Sequence, residues 1–506
     1  MNHCGKLPSL LTACAWLLLL TTNQSPAADQ AQWGLAWTRN LASSEKNLPN
    51  HFDPATRENI RWIADLGTEG HSTPIVSGGR VYIGTNNGTP RDPKHSGDRG
   101  VFMCLDEKDG HLLWQLVVPK LDEDKYYDWP NTGMSSPATV EGDRVYTVTN
   151  RGEVVCLDAQ GMANGNDGPY HDEGAHMTPH DQPVLKPGPL DADIIWICDL
   201  RLVAGIWPHD GAHSSILIHG DYLYLNSGTG VDNTHKVIRT PDAPSMIVID
   251  KHTGQMVARD DEHIAPDIFH STWSSPSLAE VNGRTLIFFC GGNGVVYAFA
   301  PLREKPKSGM VKMKSVWHFD FDPAAPKKDI HSYLSNRQTG PSNLYGMPVF
   351  HHGKLFIAGG GDVFWGKTEA WLKCIEPSGE GDITSNAVLW TYPLNKHTMS
   401  TVAIADGLIF VTDTQDTLHC VEEASGKGVW SHECNGPFWA SPLVADGKVY
   451  VGTRKGNFCI LSATREKKVL GNVELGSPIS ATTTAANGTV FITTMKQLFA
   501  VSNGAK

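Results

Sequence analysis

Histidine and aspartate residues recur in the long polar segments that separate the apolar runs of this chain. His209 and Asp210 lie in IWPHDGAH, and Asp232 and His235 lie in GTGVDNTH. Imidazole and carboxylate groups that converge from different loops can bind a divalent metal. The other candidates on such segments are Arg337, Asn343, Asp362 and Trp365. The same residue types also satisfy the backbone groups of long loops, and that structural interpretation is the favoured one.

A second candidate for metal binding is the insert over residues 159–193, which is acidic and rich in glycine and proline. Its weak candidate ligands are Asn164, Asn166 and Asp167, whose side-chain oxygens suit calcium. The DxDxDG spacing of a calcium loop is absent, so an ordinary turn-rich loop is favoured here.

Catalytic signatures are otherwise missing from the sequence. It contains no nucleophile elbow, phosphate loop, HExxH motif or dinucleotide fingerprint. The formal net charge of -12 argues against nucleic acid or an anionic membrane as the main partner.

The elements that must position these residues are visible as a repeat. Ala440–Leu475 reads as four short strands joined by tight turns, a unit that cannot bury both faces alone. Its hairpin signature recurs eight times, starting at Gly78, Gly142, Gly220, Gly283, Gly353, Asp406, Asp446 and Asn487. The last two intervals, Ile409 to Val449 and Val449 to Val490, are 40 and 41 residues, the length of a propeller blade.

The fourth strand of several units carries a tryptophan: Trp114, Trp196, Trp317, Trp390 and Trp430. The eighth unit ends without such a strand, whereas residues 59–66 have its pattern and precede the first unit. The sequence therefore predicts an all-β, eight-bladed β-propeller of four-stranded antiparallel blades. The strand at about 59–66 completes the last blade and closes the ring, which removes the open sheet edges.

These motifs resemble those of the pyrroloquinoline-quinone (PQQ)-like β-propellers. The resemblance rests on the Gly-x-Val-Tyr hairpin, on third strands such as CLDEKDG and CVEEASG, and on the fourth-strand tryptophan. It covers almost all of the chain from about Asn59 to Ser502. It implies the propeller fold, while the same repeat serves both quinoprotein dehydrogenases and non-catalytic scaffolds, among them the propeller lipoprotein of outer-membrane protein assembly.

The resemblance to quinoprotein dehydrogenases implies a specific set of residues around the quinone. In that family two adjacent cysteines lie over the quinone, a tryptophan forms the floor, a Glu and an Asn bind calcium, and an Asp acts as base. No two cysteines are adjacent here, although Trp273 or Trp439 offers a floor. We assign no calcium ligands and no base. No cofactor is therefore predicted, with PQQ and calcium kept as alternatives.

Aligning the units predicts which side chains surround the central mouth. The positions that start each inner strand are His71, Met134, His213, Trp273, Tyr345, Met399, Trp439 and Ser480. They either form a funnel for a flat or aromatic ligand, or fill the channel as a plug, and the plug is favoured. Long inserts on one face belong to blades one to five, which predicts a binding face there.

The first residues indicate export. Lys6, an apolar segment from Leu7 to Leu20 and a small-residue site predict a signal peptide over residues 1–28, followed by a lead-in over 29–58 and one propeller over 59–506. A lipobox at Cys14 is a less favoured alternative. The repeated strand cysteines, such as Cys104 and Cys420, are interpreted as buried thiols and not as disulfides.

We therefore expect an exported, periplasmic or extracellular monomer without a transmembrane segment. Its expected role is to bind a protein or an extracellular polymer through the long-loop face. The alternatives are a PQQ-dependent or other redox enzyme that lacks the cysteine pair, and a metal-dependent lyase or hydrolase.

Overall fold

The computed structural model describes Met1 and residues 28–121, 127–211, 214–307 and 309–505. These residues form eight small sheets arranged around a ring, which confirms the predicted eight-bladed β-propeller. Most of the predicted signal peptide (residues 2–27) and His213 lie outside the described residues. Within the described ranges, no helix combines the length and apolar character needed to cross a bilayer.

The strands follow one another blade by blade along the chain. Two strands precede the first blade: β1 (Ala42–Ser43) and β2 (Ile60–Asp65). Blades one and two contain β3 (Ile75–Ser77), β4 (Arg80–Asn86), β5 (Arg99–Asp106), β6 (Leu112–Pro119), β7 (Thr139–Glu141), β8 (Arg144–Val148), β9 (Glu153–Asp158) and β10 (Ile194–Asp199). Blades three and four contain β11 (Leu217–His219), β12 (Tyr222–Asn226), β13 (Met246–Asp250), β14 (Met256–Asp260), β15 (Ser277–Val281), β16 (Arg284–Cys290), β17 (Val295–Phe299), β18 (Val311–Met313) and β19 (Ser315–Asp320).

The second half of the ring has the same order. Blade five contains β20 (Ser342–Asn343), β21 (Val349–His351), β22 (Lys354–Gly361), β23 (Ala370–Ile375) and, after β24 (Gly381–Asp382), β25 (Val388–Leu394). Blades six to eight contain β26 (Ala403–Ala405), β27 (Leu408–Thr412), β28 (Thr417–Glu422), β29 (Gly428–Glu433), β30 (Leu443–Ala445), β31 (Lys448–Gly452), β32 (Asn457–Ser462), β33 (Val469–Glu474), β34 (Thr484–Ala486), β35 (Thr489–Thr493) and β36 (Gln497–Val501). The α-helices are single turns: α1 (Glu173–His176), α2 (Leu200–Ala204) and α3 (Thr384–Ala387).

The ring closes as predicted, because β2 pairs antiparallel with β36 and completes blade eight. Some blades also carry an edge strand that the four-stranded pattern did not predict. β18 pairs parallel with β14 on blade three, and β24 pairs parallel with β19 on blade four. Each added strand satisfies an outer edge that would otherwise expose unpaired backbone groups.

The fourth-strand tryptophans join neighbouring blades. Trp114 of blade one donates its indole N–H to the Ala159 carbonyl after the third strand of blade two, at 2.9 Å. Trp196 makes the same contact with the Lys251 carbonyl of blade three at 3.0 Å. The turn glycine beneath that ring, Gly254, has φ +71°, and an added Cβ would lie 2.5 Å from Trp196. The Trp-and-Gly pattern read from the sequence is therefore an interblade contact.

The eight cysteines of the described chain are all buried and free, which confirms their interpretation as apolar side chains. Cys104, Cys156 and Cys374 belong to three different core clusters between blades. Cys420 and Cys459 instead share one cluster with Cys434, so the expectation that every repeated thiol lies in a separate core is wrong for these two.

An N-terminal segment, residues 28–48, closes one end of the central channel; we call it the closing segment. Its carbonyls accept hydrogen bonds from the inner strands of several blades: Val76 N to Gln30 O, Val140 N to Ala31 O, Leu278 N to Trp37 O, Phe350 N to Thr38 O and Val444 N to Leu41 O, at 2.7–3.2 Å. Inner strands are sheet edges that face the channel, so a segment bonded to so many of them must lie within it.

Side chains of the closing segment reach the remaining blades. The Trp37 indole donates to the Ile218 carbonyl of blade three at 3.2 Å, and Asn40 exchanges two hydrogen bonds with Ile404 of blade six. Glu45 accepts from the Gly488 amide of blade eight at 2.6 Å. The closing segment thus contacts all eight blades.

Candidate functional site

A central cavity of about 730 Å³ opens on the opposite, long-loop face of the ring. Its lining comes from the connections between blades and from the loops between second and third strands. Trp33 of the closing segment also lines it. The ring side chains therefore line this space and do not fill it, in contrast to the plug that the sequence favoured. The volume lies within the range of small-molecule sites, roughly 300–1,000 Å³.

Aromatic rings form the wall contributed by blades four and five. Trp273 and Tyr345 lie with their ring centroids 4.8 Å apart, and Phe364 meets Trp273 edge-on at 6.2 Å. Phe364 also contacts Trp439, which precedes the inner strand of blade seven, with ring centroids 5.8 Å apart. These contacts hold the rings in fixed orientations, and all four aromatic side chains line the cavity.

The wall contributed by blades seven, eight and one combines one aromatic ring with polar groups. The Arg454 guanidinium lies 4.3 Å from the centre of the Trp439 ring, and it donates to Ser480 Oγ at 2.5 Å. His71 stacks on Trp439 with ring centroids 6.4 Å apart, and its Nε2 lies 3.6 Å from a Glu69 carboxylate oxygen. Burial lowers the pKa of Arg454, which is partly desolvated here.

Three histidines meet at the inner side of the cavity: His209, His235 and His270, which we call the histidine cluster. One ligand nitrogen from each lies within 4.8 Å of the other two. Their exposed fractions are 0%, 9% and 2%. His209 precedes blade three, His235 lies between its second and third strands, and His270 lies between blades three and four. Loops far apart in sequence thus meet because all of them open on the long-loop face.

The buried carboxylate of Asp362 hydrogen-bonds one histidine of this cluster. Its Oδ2 accepts from His270 Nδ1 at 2.9 Å and from the Tyr345 hydroxyl, and its Oδ1 accepts from the amides of Phe364 and Trp365. Burial alone would raise the pKa of this carboxyl, but the charge of His270 and these hydrogen bonds lower it to about 2. Asp362 is therefore a buried carboxylate that fixes both the imidazole and the 362–366 loop.

The electrostatics of the cluster follow from burial. Desolvation and the neighbouring charges of His270 and His235 lower the pKa of His209 to about 2. Desolvation also lowers the pKa of His235 and raises that of Asp210 to about 6. Burial therefore disfavours the charged forms of His209, His235 and Asp210, and such perturbed groups in a cavity are typical of functional sites.

Three of the loop residues predicted from the sequence position others. Asp232 accepts from the Thr234 amide and hydroxyl and so holds the turn that presents His235. Arg337 donates to the carbonyls of Phe364 and Gly366, across the Asp362 loop. Asn343 donates to the Tyr345 hydroxyl at 3.0 Å. These side chains support the cavity from outside its lining.

The structure brings most of the predicted residues together. The predicted residues that line the cavity are His71, Asp210, His235, Trp273, Tyr345, Trp365, Met399, Trp439 and Ser480. Met134 is instead buried in a core cluster, and its neighbour Ser135 faces the cavity. The predicted calcium candidates are far from this site and bond within their own insert: Asn164 to Asp167 at 2.7 Å, and Asn166 to Glu173 at 3.0 Å.

His270 is the main residue that the sequence reasoning missed. It lies three residues before Trp273, at the end of an insert already recognised as long. Its proximity to the inner strand of blade four was the available signal, since that position opens on the mouth. Phe364 was missed as well, although its neighbours Asp362 and Trp365 were predicted.

Comparison with known proteins agrees with the fold. A family profile described as outer membrane protein assembly factor BamB matches residues 41–160 and 379–469. No curated protein sequence matches the chain significantly. A europium-containing methanol dehydrogenase superposes with TM-score 0.60 at 12% identity, over 95% of this chain and 98% of that one.

Two further solved structures are similar to this chain at lower TM-scores. A computationally designed protein, Ika8, superposes with TM-score 0.51 at 10% identity, covering 88% of this chain and 99% of its own. BamB from Moraxella catarrhalis gives TM-score 0.49 at 10% identity, covering 88% and 97%. The resemblance to PQQ-like propellers drawn from the sequence is confirmed, at the level of the fold.

The donor set of the cavity does not fit a calcium–quinone pair. Calcium takes six to eight oxygen ligands. Among the described residues lining the cavity, the carboxylates are Glu69 and Asp210. Asp362 and Asn343 are already engaged with Tyr345 and with loop amides. The inner wall of the cavity presents imidazole nitrogens, and not the oxygen ligands that calcium takes.

Proposed function

We propose that this chain is an exported binding propeller that takes the saccharide end of an extracellular polymer into its central cavity. The observation that carries the proposal is the cavity itself: about 730 Å³, open on the long-loop face, with Trp273, Trp439 and Phe364 in its lining. Such a space accepts one or a few rings at the end of a chain. The closing segment at the other end makes it a pocket and not a through-channel.

Sugar rings suit this lining for chemical reasons. The C–H face of a pyranose packs on an aromatic ring, while its hydroxyl groups need donors and acceptors around the edge. The cavity lining supplies hydroxyl groups: Thr68, Thr73, Thr132, Ser135, Ser441, Ser477, Ser480 and Thr482. Two basic side chains, Arg454 and Lys496, balance two acidic ones, Glu69 and Asp210, which favours a ligand without strong charge.

A protein partner fits the observations less well. Specific protein interfaces bury about 800 Å² on each side of a fairly flat contact. The aromatic rings here lie inside a concave space that a broad surface cannot reach. A scaffold role for the long-loop face is therefore the second candidate, supported by the length of its loops.

The test is a titration of the purified protein with short oligosaccharides from cellulose, xylan, starch and chitin, followed by tryptophan fluorescence and calorimetry. We expect at least one to bind, and Trp439→Ala to weaken it by about 30-fold or more, as for a central aromatic contact. The matched control is Trp430→Ala, because Trp430 lies on the outer strand of blade six and donates to Thr464.

Two results would overturn the proposal: no saccharide binds, or Trp430→Ala weakens binding as much as Trp439→Ala. Capture of a protein partner that is lost on charge reversal at the exposed Lys236 and Lys328, with no saccharide bound, would favour the scaffold role.

A further inference from the structure

We propose that His209, His235 and His270 bind one divalent transition-metal ion at the inner wall of the cavity. The three ligand nitrogens lie within 4.8 Å of one another, so small ring rotations bring all three to a single ion. The ligands come from three separate loops, none of which is needed to form a blade. This site is independent of the saccharide proposal, although the two share the cavity.

Hydrogen bonds at Nδ1 orient two of the three imidazole rings. His209 Nδ1 donates to the Val231 carbonyl at 2.7 Å, and His270 Nδ1 donates to Asp362 at 2.9 Å. In both cases the hydrogen bond fixes the proton on Nδ1 and assigns the lone pair to Nε2. Metal-binding histidines are characteristically oriented by such a carbonyl or carboxylate partner.

His270 adds an independent observation. Its Nε2 is buried and has no hydrogen-bond partner among the described residues, although its ring is only 2% exposed. Buried polar atoms are nearly always paired, and an unpaired one calls for an explanation. A bound cation at this nitrogen supplies the missing partner.

The donor set indicates the class of metal. Imidazole nitrogen suits zinc, copper, nickel and iron, whereas calcium and magnesium prefer oxygen. Three protein ligands with one open position are typical of catalytic and ligand-binding zinc sites, and four ligands of structural ones. His235, His270 and Asp210 line the cavity, so the open position faces the space in which the saccharide is proposed to bind.

Aromatic side chains enclose the cluster on its cavity side. His235 packs against Trp365 with centroids 4.7 Å apart, and His270 contacts Trp273 and Phe364 at 5.3 and 5.6 Å. Such an apolar shell limits solvent access and strengthens the hold of the site on a charged ion. Asp362 contributes no ligand atom to the proposed metal ion. It hydrogen-bonds His270 and is therefore a positioning residue.

The chain offers a matched control elsewhere on its surface. His351, His352 and Glu423 also lie within metal-ligand distance of one another. There, however, Nδ1 of each histidine contacts the same Glu423 oxygen, at 2.7 and 3.1 Å, and His352 is largely exposed. This surface cluster tests whether any group of neighbouring histidines is enough to bind the metal ion.

The experiment uses the full chain, stripped of metal with a chelator and dialysed, in the absence of saccharide. Co²⁺ is titrated and followed by its visible absorption, and Zn²⁺ is titrated by calorimetry. We expect one equivalent of each to bind to the wild type and to His352→Ala, and neither to bind to His270→Ala or His235→Ala. Asp362→Asn should bind about 10–100-fold more weakly.

The proposal is overturned if the wild type binds no metal, if His270→Ala and His235→Ala keep it, or if His352→Ala loses it. His235 lies on a loop at the cavity edge, so His235→Ala keeps the test valid should His270→Ala fail to fold. Because no saccharide is present, failure here leaves the saccharide proposal standing, and a saccharide that does not bind leaves the metal site standing.

Discussion

The two ends of the central channel each contain a buried polar side chain, and these two side chains differ in their hydrogen bonding. At the closed end, Arg39 is fully buried and donates to the Pro276, Trp33 and Ser215 carbonyls and to Ser215 Oγ, at 2.9–3.1 Å. At the open end, His270 is 2% exposed, and its Nε2 has no hydrogen-bond partner among the described residues. Both side chains are thus buried, while the hydrogen bonds of the guanidinium are made and those of the imidazole are not.

This difference separates structure from function within one channel. A buried group whose hydrogen bonds are all made stabilises the fold that surrounds it. A buried polar group that lacks a hydrogen-bond partner costs stability. Such a group persists where a bound ion or ligand supplies the missing partner. We therefore assign the closing segment to stability and the histidine cluster to function.

The largest expected effect lies at the closed end. Arg39→Ala removes the guanidinium and leaves three buried carbonyls without donors, so the free energy of unfolding should fall by about 3–5 kcal/mol. Urea denaturation followed by tryptophan fluorescence measures this loss. The folded variant should still bind Zn²⁺ like the wild type. A loss of zinc affinity with unchanged stability would reverse the assignment of the two ends.

Metal should stabilise the protein through the open end. An ion that binds only the folded state at 100 times its Kd adds about 2.7 kcal/mol to the free energy of unfolding. We expect the Tm of the wild type and of Arg39→Ala to rise on adding Zn²⁺, and that of His270→Ala to stay constant. Differential scanning fluorimetry with and without chelator measures the rise. An equal rise in all three proteins would contradict the site.

Two single substitutions, one at each end of the channel, compare how much a polar side chain contributes to stability there. Asn40 is buried at the closed end and exchanges hydrogen bonds with both the amide and the carbonyl of Ile404, at 2.8 and 2.9 Å. Asn40→Ala should cost about 1–3 kcal/mol. Ser480 at the open mouth accepts only from Arg454 among the bonds described, and Ser480→Ala should change stability by less than about 0.5 kcal/mol. Similar losses in both variants would show that the two ends do not differ.

The smallest effect concerns acid stability at the closed end. Asp446 accepts from the Leu48 amide at 2.9 Å and from Lys448 at 2.6 Å, and these bonds lower its pKa below the ordinary 3.8 against the opposing effect of burial. A carboxyl with a depressed folded pKa stabilises above its unfolded pKa, and that stabilisation disappears as pH falls below 3.8. Asp446→Asn should therefore lower the free energy of unfolding by at most about 1 kcal/mol at pH 7, and by less at pH 3. The same loss at both pH values would exclude the ionised carboxylate as the cause.

The fold was largely predictable because each repeat carries its own signals. The hairpin turns, the fourth-strand tryptophans and the strand at 59–66 are local patterns, and each corresponds to an observed strand or interblade contact. The closing segment was not predictable beyond its position as a lead-in. Its hydrogen bonds join residues such as Asn40 and Ile404, which are 364 positions apart and share no motif.

The candidate site was predictable in part. The propeller register placed Trp273, Tyr345 and Trp439 at the mouth, and loop length identified the segments that carry His209, His235 and Asp362. The register failed at Met134, where the neighbouring Ser135 faces the cavity instead. Which histidines meet depends on loop conformation, and no period in the sequence encodes that.

The most direct test of the functional assignment is an anomalous diffraction map from crystals of the full chain soaked in zinc. We expect one strong peak between His209, His235 and His270, with nitrogen ligands at about 2.0–2.1 Å and its open side toward Trp273. A map with no peak there, or with its peak beside His351 and His352, would rule out the proposed metal site.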